Sequence, residues 1–153
     1  MKQDISQKKV GIDFGSYDSI VIKKHITDIE GGRTLDCTDF PENVVLAAHV
    51  IISTANAETG EKTYKPMPIK QVLEGNQPKV DEDGNKIYAY DTLPQGAVYE
   101  GVLYRLILKE KPAASILIDG VVNDKVMKIA LGNIEADFKA ACPHIIFNHD
   151  EEA

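Results

Sequence analysis

Short apolar runs bordered by Gly, Pro, Asn or Asp follow one another along most of the chain. Each run has the length of a strand and is rich in β-branched or aromatic residues, which is typical of β-structure. The runs are SIVIKKHI (19–26), NVVLAAHVIIST (43–54), KTYKPMPI (62–69), KIYAYDTL (86–93), GVLYRLILK (101–109) and ASILIDGVV (114–122). Their prevalence predicts a mainly β protein.

The two runs on either side of KEKPA (109–113) are almost continuously apolar, whereas a strand with one wet face alternates. Continuous runs indicate strands that are covered on both faces, by a second layer or by a neighbouring subunit. Pro112 can start a turn and has no N–H for a ladder, so a β-hairpin or tight corner is expected there. The pattern favours a small barrel or an oligomer.

Helical spacing is clearest near the C-terminus, in NIEADFKAAC (133–142). Ile134, Phe138 and Ala141 fall on one face, and Pro143 ends the helix before a last apolar strand, HIIFN. With the strands, this predicts a β-rich α+β fold with one C-terminal helix. Residues 70–86 are polar and contain Gly and Pro, which predicts a surface insertion.

Composition places the chain among ordinary globular proteins, with 43% hydrophobic and 27% charged residues. A formal net charge of −7 argues against nucleic acid as a partner, because such binding needs Lys and Arg to neutralise phosphates. No apolar run is long enough for a signal peptide or a membrane span, so we expect synthesis in a cytoplasm and no membrane partner. Cys37 and Cys142 are far apart in sequence and are expected to be buried free thiols.

The segment VGIDFGSYDSIV (10–21) resembles the first phosphate motif of the sugar-kinase, actin and heat-shock ATPase superfamily. The rest of the chain offers no convincing second phosphate turn, and 153 residues are too few for the two domains that close on a nucleotide in that superfamily. We therefore interpret GIDFGS (11–16) as a turn between two extended segments, in which Gly supplies the unusual backbone angles. ATP binding is not expected.

Two further patterns suggest metal ligands, but neither supplies a complete set of ligands. DEDGN (81–85) begins like a calcium loop, but its glycine comes two positions early and the closing glutamate is absent. Cys142, His144 and His149 supply three ligands at most, where structural zinc needs four. We expect no metal and no cofactor.

Catalytic patterns are equally weak. A G-x-S-x-G nucleophile turn is missing from the sequence, and His25 and His49 lie inside apolar strand patterns typical of packed histidines. We therefore expect a protein that binds other molecules without transforming them.

Four segments of the second half resemble, in order and spacing, the head decoration proteins of tailed bacteriophages. They are VVLAAHVI with its Ala-rich kink, LPQGAVYEGVLYRLIL with a turn into a long apolar strand, AASILIDGVVND, and IEADFKAACPHIIF with a closing helix and short last strand. The resemblance implies a small β-barrel or β-tulip-like fold, a homotrimer, and a structural role on the virion, where the protein binds the major capsid protein on the outside of a phage or prophage head. The family has no catalytic residues.

The resemblance covers a body at 41–153 apart from its polar insertion, 70–86, and leaves the N-terminal region, 1–40, as a candidate partner-binding segment. A strand there with an unpaired edge could be completed by a capsid subunit through main-chain hydrogen bonds. Pairing of residues 10–26 within their own subunit is an equal alternative. Other functions left open are a β-barrel binding or adhesion module and a nucleotide-binding protein. The candidate capsid-contact residues are Gly11, Asp13, Phe14, Gly15, Tyr17 and Ile20.

Overall fold

The structure, a computed structural model, describes residues 14–149. Its two α-helices are α1 (Phe14–Val21) and α2 (Glu135–Ala141), and short 3-10 turns lie at Asp124–Val126 and Gly132–Ile134. The strands of this range are β1 (Ile22–Asp28), β2 (Arg33–Thr34), β3 (Val44–Val45), β4 (Val50–Ala55), β5 (Lys62–Pro66), β6 (Ile69–Gln71), β7 (Leu73–Glu74), β8 (Gln77–Pro78), β9 (Tyr88–Tyr90), β10 (Ala97–Leu103), β11 (Ile107–Leu108), β12 (Ala113–Ala114), β13 (Ile116–Asn123) and β14 (Ile145–Asn148).

The main sheet has the strand order β1-β13-β10-β4-β5, with antiparallel neighbours, and β14 joins it parallel to β13. β1 follows β13 from Leu117 to Val122, whereas β10 pairs only with its start, at Ile116 and Leu117. β14 pairs with β13 from Gly120 to Asn123, on the edge of β13 that is no longer paired with β10. β13 therefore organises the sheet by contacting three strands.

Two glycines allow these strands to come close together. A side chain at Gly101 in β10 would overlap the carbonyl oxygen of Leu117, and one at Gly120 in β13 would overlap that of Lys24. Both positions lie beside register shifts in the ladders. The crossing of β1, β13 and β10 therefore depends on the absence of a Cβ atom at two points.

Two hydrophobic cores cover the main sheet, one on each face. Along β4, β10 and β13, successive side chains point to opposite faces: Val50, Val102 and Leu117 belong to the first core, which α1, α2 and β14 complete. The residue next to each of these on its strand points to the other face and belongs to the second core, which Leu35, Phe40 and Val45 complete. The members of the second core on these strands are Ile51, Leu103 and Ile116.

The layered arrangement explains the continuous apolar runs of the sequence. They are covered by a second layer of the same chain, and a neighbouring subunit is not needed to bury them. The β-rich α+β class, the C-terminal helix and the last strand are confirmed. The predicted turn lies at Leu108–Lys111, where the Lys111 N–H donates to the Leu108 carbonyl at 2.9 Å.

Two predictions are corrected. The expected barrel is not formed by the described strands, because β1 and β5 end the sheet without pairing with each other there. The segment expected to be a turn and then extended is helical from Phe14 to Val21, and β-structure begins only at Ile22. Apolar spacing at Phe14, Tyr17, Ile20 and Val21 fits a helix, and its contacts with distant parts of the chain override the poor helix propensity of Gly15.

Residues 69–90 form a small appendage, here called the lobe. β6 pairs with β9 at its base, and two further hairpins branch from it, β7–β8 and a turn closed by a Val80–Lys86 bridge. Val72 joins the branches, since its N–H donates to the Ile87 carbonyl and its carbonyl accepts from the Lys79 N–H. Most of residues 70–86 are exposed, which confirms the predicted surface insertion and gives it an ordered structure.

Candidate functional site

The predicted capsid-contact segment falls only partly within the structure. Gly11 and Asp13 lie outside the described residues, and Phe14 and Gly15 lie in the first turn of α1. Tyr17 and Ile20 are half-buried, and Tyr17 packs against the first core. The structure does not place Gly15 at a hinge between strands, as the turn interpretation required.

Two long-range hydrogen bonds hold α1 on the body. The Tyr17 hydroxyl accepts from the Lys128 N–H at 2.9 Å, and burial raises the pKa of Tyr17. Asp18 Oδ2 accepts from the Leu106 N–H at 3.2 Å, and Val21 is fully buried. Residues 17–21 therefore belong to the body, and the domain boundary expected near residue 40 does not separate them from it.

β1 presents a long edge to solvent. It pairs with β13 on one side, and on its other side no strand pairs with it in the part of the chain that the structure describes. Residues 23–27 are all exposed, including the apolar Ile26 at 49%. Residues 22–26 thus pair with β13 of their own subunit along one edge, and among residues 14–149 no strand covers the second edge.

A cleft of about 930 Å³ separates the lobe from the body. One wall comes from residues 84–88 of the lobe, the other from residues 40–49, and Tyr17 and residues 127–129 also line it. Its volume lies in the range of ligand sites, roughly 300–1,000 Å³. The sequence analysis missed this cleft, although the YAY spacing of β9 places Tyr88 and Tyr90 on one strand face.

Aromatic rings form the floor of the cleft. The His49 ring lies edge to face with Phe40 and with Tyr90, at centroid distances of 5.2 and 5.1 Å. His49 Nε2 donates to the Met67 carbonyl at 2.9 Å, and the Tyr90 hydroxyl accepts from the Val50 N–H at 3.0 Å. Burial lowers the pKa of His49 to about 4, so the imidazole is neutral at pH 7.

Polar contacts fix the lobe to the body at the rim. The Tyr88 hydroxyl donates to Glu42 Oε1 at 2.6 Å, a bond that raises the pKa of Tyr88 to about 12. Lys128 Nζ lies 3.8 Å from Asp81 Oδ2. These contacts link the two walls of the cleft at its rim.

A strained backbone conformation occurs at Ala48, next to the aromatic floor of the cleft. Ala48 is fully buried with a φ of 67°, and it is the one non-glycine residue with a positive φ among residues 14–149. Its N–H donates to the Leu103 carbonyl at 2.7 Å, which ties the turn to β10. This turn is the Ala-rich kink of the sequence, and it directs His49 toward the cleft.

The candidate metal patterns are not assembled. Asp81 Oδ1 accepts from the N–H groups of Asp83 and Asn85, which confirms the predicted turn there. His149 Nδ1 contacts Asp124 Oδ1 at 2.7 Å, while Cys142 is buried. Within residues 14–149 no group of three or more potential ligands converges on one point.

One Ser, His and Asp cluster lies on the exposed side of β1. Ser115 Oγ donates to Asp28 Oδ2 at 2.9 Å, and His25 Nε2 contacts the same oxygen at 3.2 Å. Nucleophilic catalysis needs the histidine between the hydroxyl and the carboxylate, but here the carboxylate is central. The hydrogen bonds from Ser115 and His25 keep the pKa of Asp28 below its usual range, so the cluster is an anchor for β1.

Both cysteines are buried and neither is in a disulfide, as predicted. Cys37 lies in the second core and Cys142 in the first, and burial raises the pKa of both thiols. A raised pKa disfavours the reactive thiolate. Neither thiol is therefore suited to nucleophilic chemistry.

Among the helices of the described range, none is both long and apolar enough to cross a membrane. Comparisons with protein-family models, with curated proteins and with solved structures found no match to this chain.

Proposed function

We propose that this protein is a non-catalytic structural component that binds the outside of a phage or prophage head and stabilises it. Its partner is the major capsid protein, and it acts on the virion surface as a homotrimer. The resemblance to head decoration proteins motivates the proposal. The four resembling segments correspond to β3 with the start of β4, to β10 with β11, to β12 with β13, and to α2 with β14.

The observation that carries the proposal is the exposed edge of β1. A strand at the end of a sheet can be extended by a segment of another chain through main-chain hydrogen bonds. Lys23 and Lys24 on this strand discourage indiscriminate strand pairing, because a second chain must accommodate their charges. β1 lies within the candidate N-terminal region, 1–40, and follows α1 directly, so both elements can contact one capsid subunit.

Trimerisation now rests on the resemblance alone. The continuous apolar strands are covered within one chain, so they give no separate support for a subunit interface. A trimer strengthens weak contacts by multivalency, since engagement of one subunit raises the effective concentration of the other two at the capsid.

Co-sedimentation tests this function with expanded capsids of the phage or prophage that encodes the protein. Wild-type protein should pellet with capsids, and Ile26→Asp should weaken binding at least tenfold because it adds a charge to the docking edge. Val98→Asp is the matched control, since Val98 is 52% exposed on a different strand. Wild-type protein that stays in the supernatant contradicts the function and favours a binding or adhesion module.

A further inference from the structure

The outer part of the lobe, residues 70–89, adds nothing to either hydrophobic core. None of these residues is buried, and Leu73 and Val80 are 60% and 50% exposed. At the base of the lobe, Ile69 packs against both cores and Tyr90 belongs to the first, but no residue between them belongs to either. Apolar burial therefore holds the body together and contributes little to keeping the outer lobe in place.

The base of the lobe is fixed to β4 at a single residue, Val50. On one side of the lobe, the N–H of the fully buried Met67 donates to the Val50 carbonyl at 2.8 Å. On the other side, the Tyr90 hydroxyl accepts from the Val50 N–H at 3.0 Å. Lys70 Nζ also lies 3.8 Å from Asp91 Oδ1, at the same base. Both ends of the lobe are thus anchored in the main sheet independently of the segment between them.

Two side-chain contacts cross the cleft from the outer lobe to the body within residues 14–149. The pair between Asp81 and Lys128 is long, at 3.8 Å, and exposed ion pairs of this kind contribute little. The hydrogen bond from the Tyr88 hydroxyl to Glu42 Oε1 is short, at 2.6 Å, and its acceptor is a carboxylate, which strengthens it. The Tyr88–Glu42 bond is therefore the main contact that holds the outer lobe against the body.

One buried group destabilises the closed arrangement. Gln71 Nε2, opposite Tyr88 in the β6–β9 ladder, is buried and has no hydrogen-bond partner among the described residues. A buried donor without an acceptor destabilises the state that buries it, and water satisfies the donor once the strand opens. The closed lobe therefore combines one strong polar contact with one group that favours opening.

We propose that the outer lobe is a lid on the cleft: it opens as a local unit while its base and the body stay folded, and the Tyr88–Glu42 hydrogen bond is its latch. In the open form β6 and β9 separate beyond Ile69 and Tyr90, and the wall at residues 84–88 leaves the cleft. The aromatic floor then becomes accessible to solvent. Lid opening is independent of capsid binding, so either can fail without the other.

Hydrogen exchange on the full chain at pH 7, in increasing but sub-denaturing urea, tests the lid. The amides of Val72, Lys79 and Ile87 report on the lobe, because each donates to a carbonyl inside it, and the Leu103 amide, bonded to the His49 carbonyl, reports on the main sheet. We expect the lobe amides to exchange at least about tenfold faster than Leu103 and to respond weakly to urea, since local opening exposes little new surface. Equal rates with equal urea dependence would show that the lobe opens only with the body and would overturn the proposal.

Two substitutions in the lobe should change this exchange in opposite directions. Tyr88→Phe removes the latch hydroxyl and should accelerate exchange of the lobe amides roughly fivefold. Tyr64→Phe, on β5 and outside the lobe, is the matched control and should leave their exchange unchanged. Gln71→Leu removes the buried unpaired amide and should slow the same exchange. Lobe exchange that Tyr88→Phe leaves unaltered, or that Gln71→Leu accelerates, contradicts the latched lid.

Discussion

Ala48 adopts a backbone conformation that ordinary L-residues avoid, at a point where the chain turns into β4. The left-handed region costs a non-glycine residue roughly 1–2 kcal/mol. The neighbouring Ala47 is equally buried and has no positive φ. Comparing the two alanines therefore distinguishes the energetic cost of the strained backbone at Ala48 from the contribution of a buried methyl group, which both residues make.

Replacing each alanine by glycine should give different results. Ala48→Gly relieves the strain and loses one buried methyl group, about 0.8 kcal/mol, plus about 0.4–1 kcal/mol of unfolded-state entropy, so the free energy of unfolding should hardly change. Ala47→Gly has the same losses without the relief and should cost about 1–2 kcal/mol. Urea denaturation of both variants measures the difference, and equal losses would show that the kink is unstrained.

His49 should make stability depend on pH. Its folded pKa, about 4, lies below the ordinary 6.5, so between these values the unfolded chain binds a proton that the folded chain excludes. The contribution is complete above pH 6.5 and is lost as pH falls toward 4. A shift of this size corresponds to roughly 3 kcal/mol.

Urea denaturation at pH 7 and pH 5 tests this dependence. His49→Gln should lower stability at pH 7, because it disturbs the contact with Met67, and should remove most of the loss between the two pH values. His144→Gln, at an exposed position, is the control and should keep the wild-type dependence. If the stability of His49→Gln fell between pH 7 and pH 5 as much as that of the wild type, the pH dependence would come from other groups.

At the scale of elements, the glycines at the strand crossing have a testable role. Gly120→Ala places a methyl group against the Lys24 carbonyl, which is backbone and cannot move without separating β1 from β13. We expect a loss of at least about 3 kcal/mol, in the range of severe core disruptions. Gly75→Ala is the control, because its φ is 66° in open space and the cost is about 1–2 kcal/mol from strain alone. Thermal unfolding should rank the two variants in this order.

Helix α1 should contribute to the stability of the body. Val21→Ala removes two methyl groups from a fully buried position and should cost about 1.5–3 kcal/mol. Val98→Ala, at a residue 52% exposed, should cost less than about 1 kcal/mol. Equal small losses in urea denaturation would mean that α1 is detached from the body in solution.

The elements also show what sequence patterns can predict here. The body strands and α2 were identified because each has a local signal, such as the spacing of Ile134 and Phe138 on one helix face. α1 was not, because it is held by backbone groups of Leu106 and Lys128, which lie 88 and 111 positions from their partners Asp18 and Tyr17. The cleft was missed for the same reason, since its walls come from separate segments.

At the scale of the whole molecule, the two cores should unfold together. Both are built on β4, β10 and β13, so opening either core disrupts strands of the other. Cys37 and Cys142 report on one core each. We expect both thiols to resist alkylation in the native state and to react with the same rate when the chain opens globally. Pulsed alkylation with mass spectrometry measures each site, and faster labelling of one thiol would show that its core opens independently.

The position of β13 has a consequence for synthesis of the chain. β1 ends at Asp28, but its partner begins only at Ile116, and β14, which also pairs with β13, follows later still. At roughly 5–20 residues per second, a ribosome needs several seconds to make the intervening segment. During that time β1 has no partner strand of its own. β1 therefore joins the main sheet only after β13 has been made, although β4, β5 and β10 can pair before that, and until then this early strand is available to chaperones.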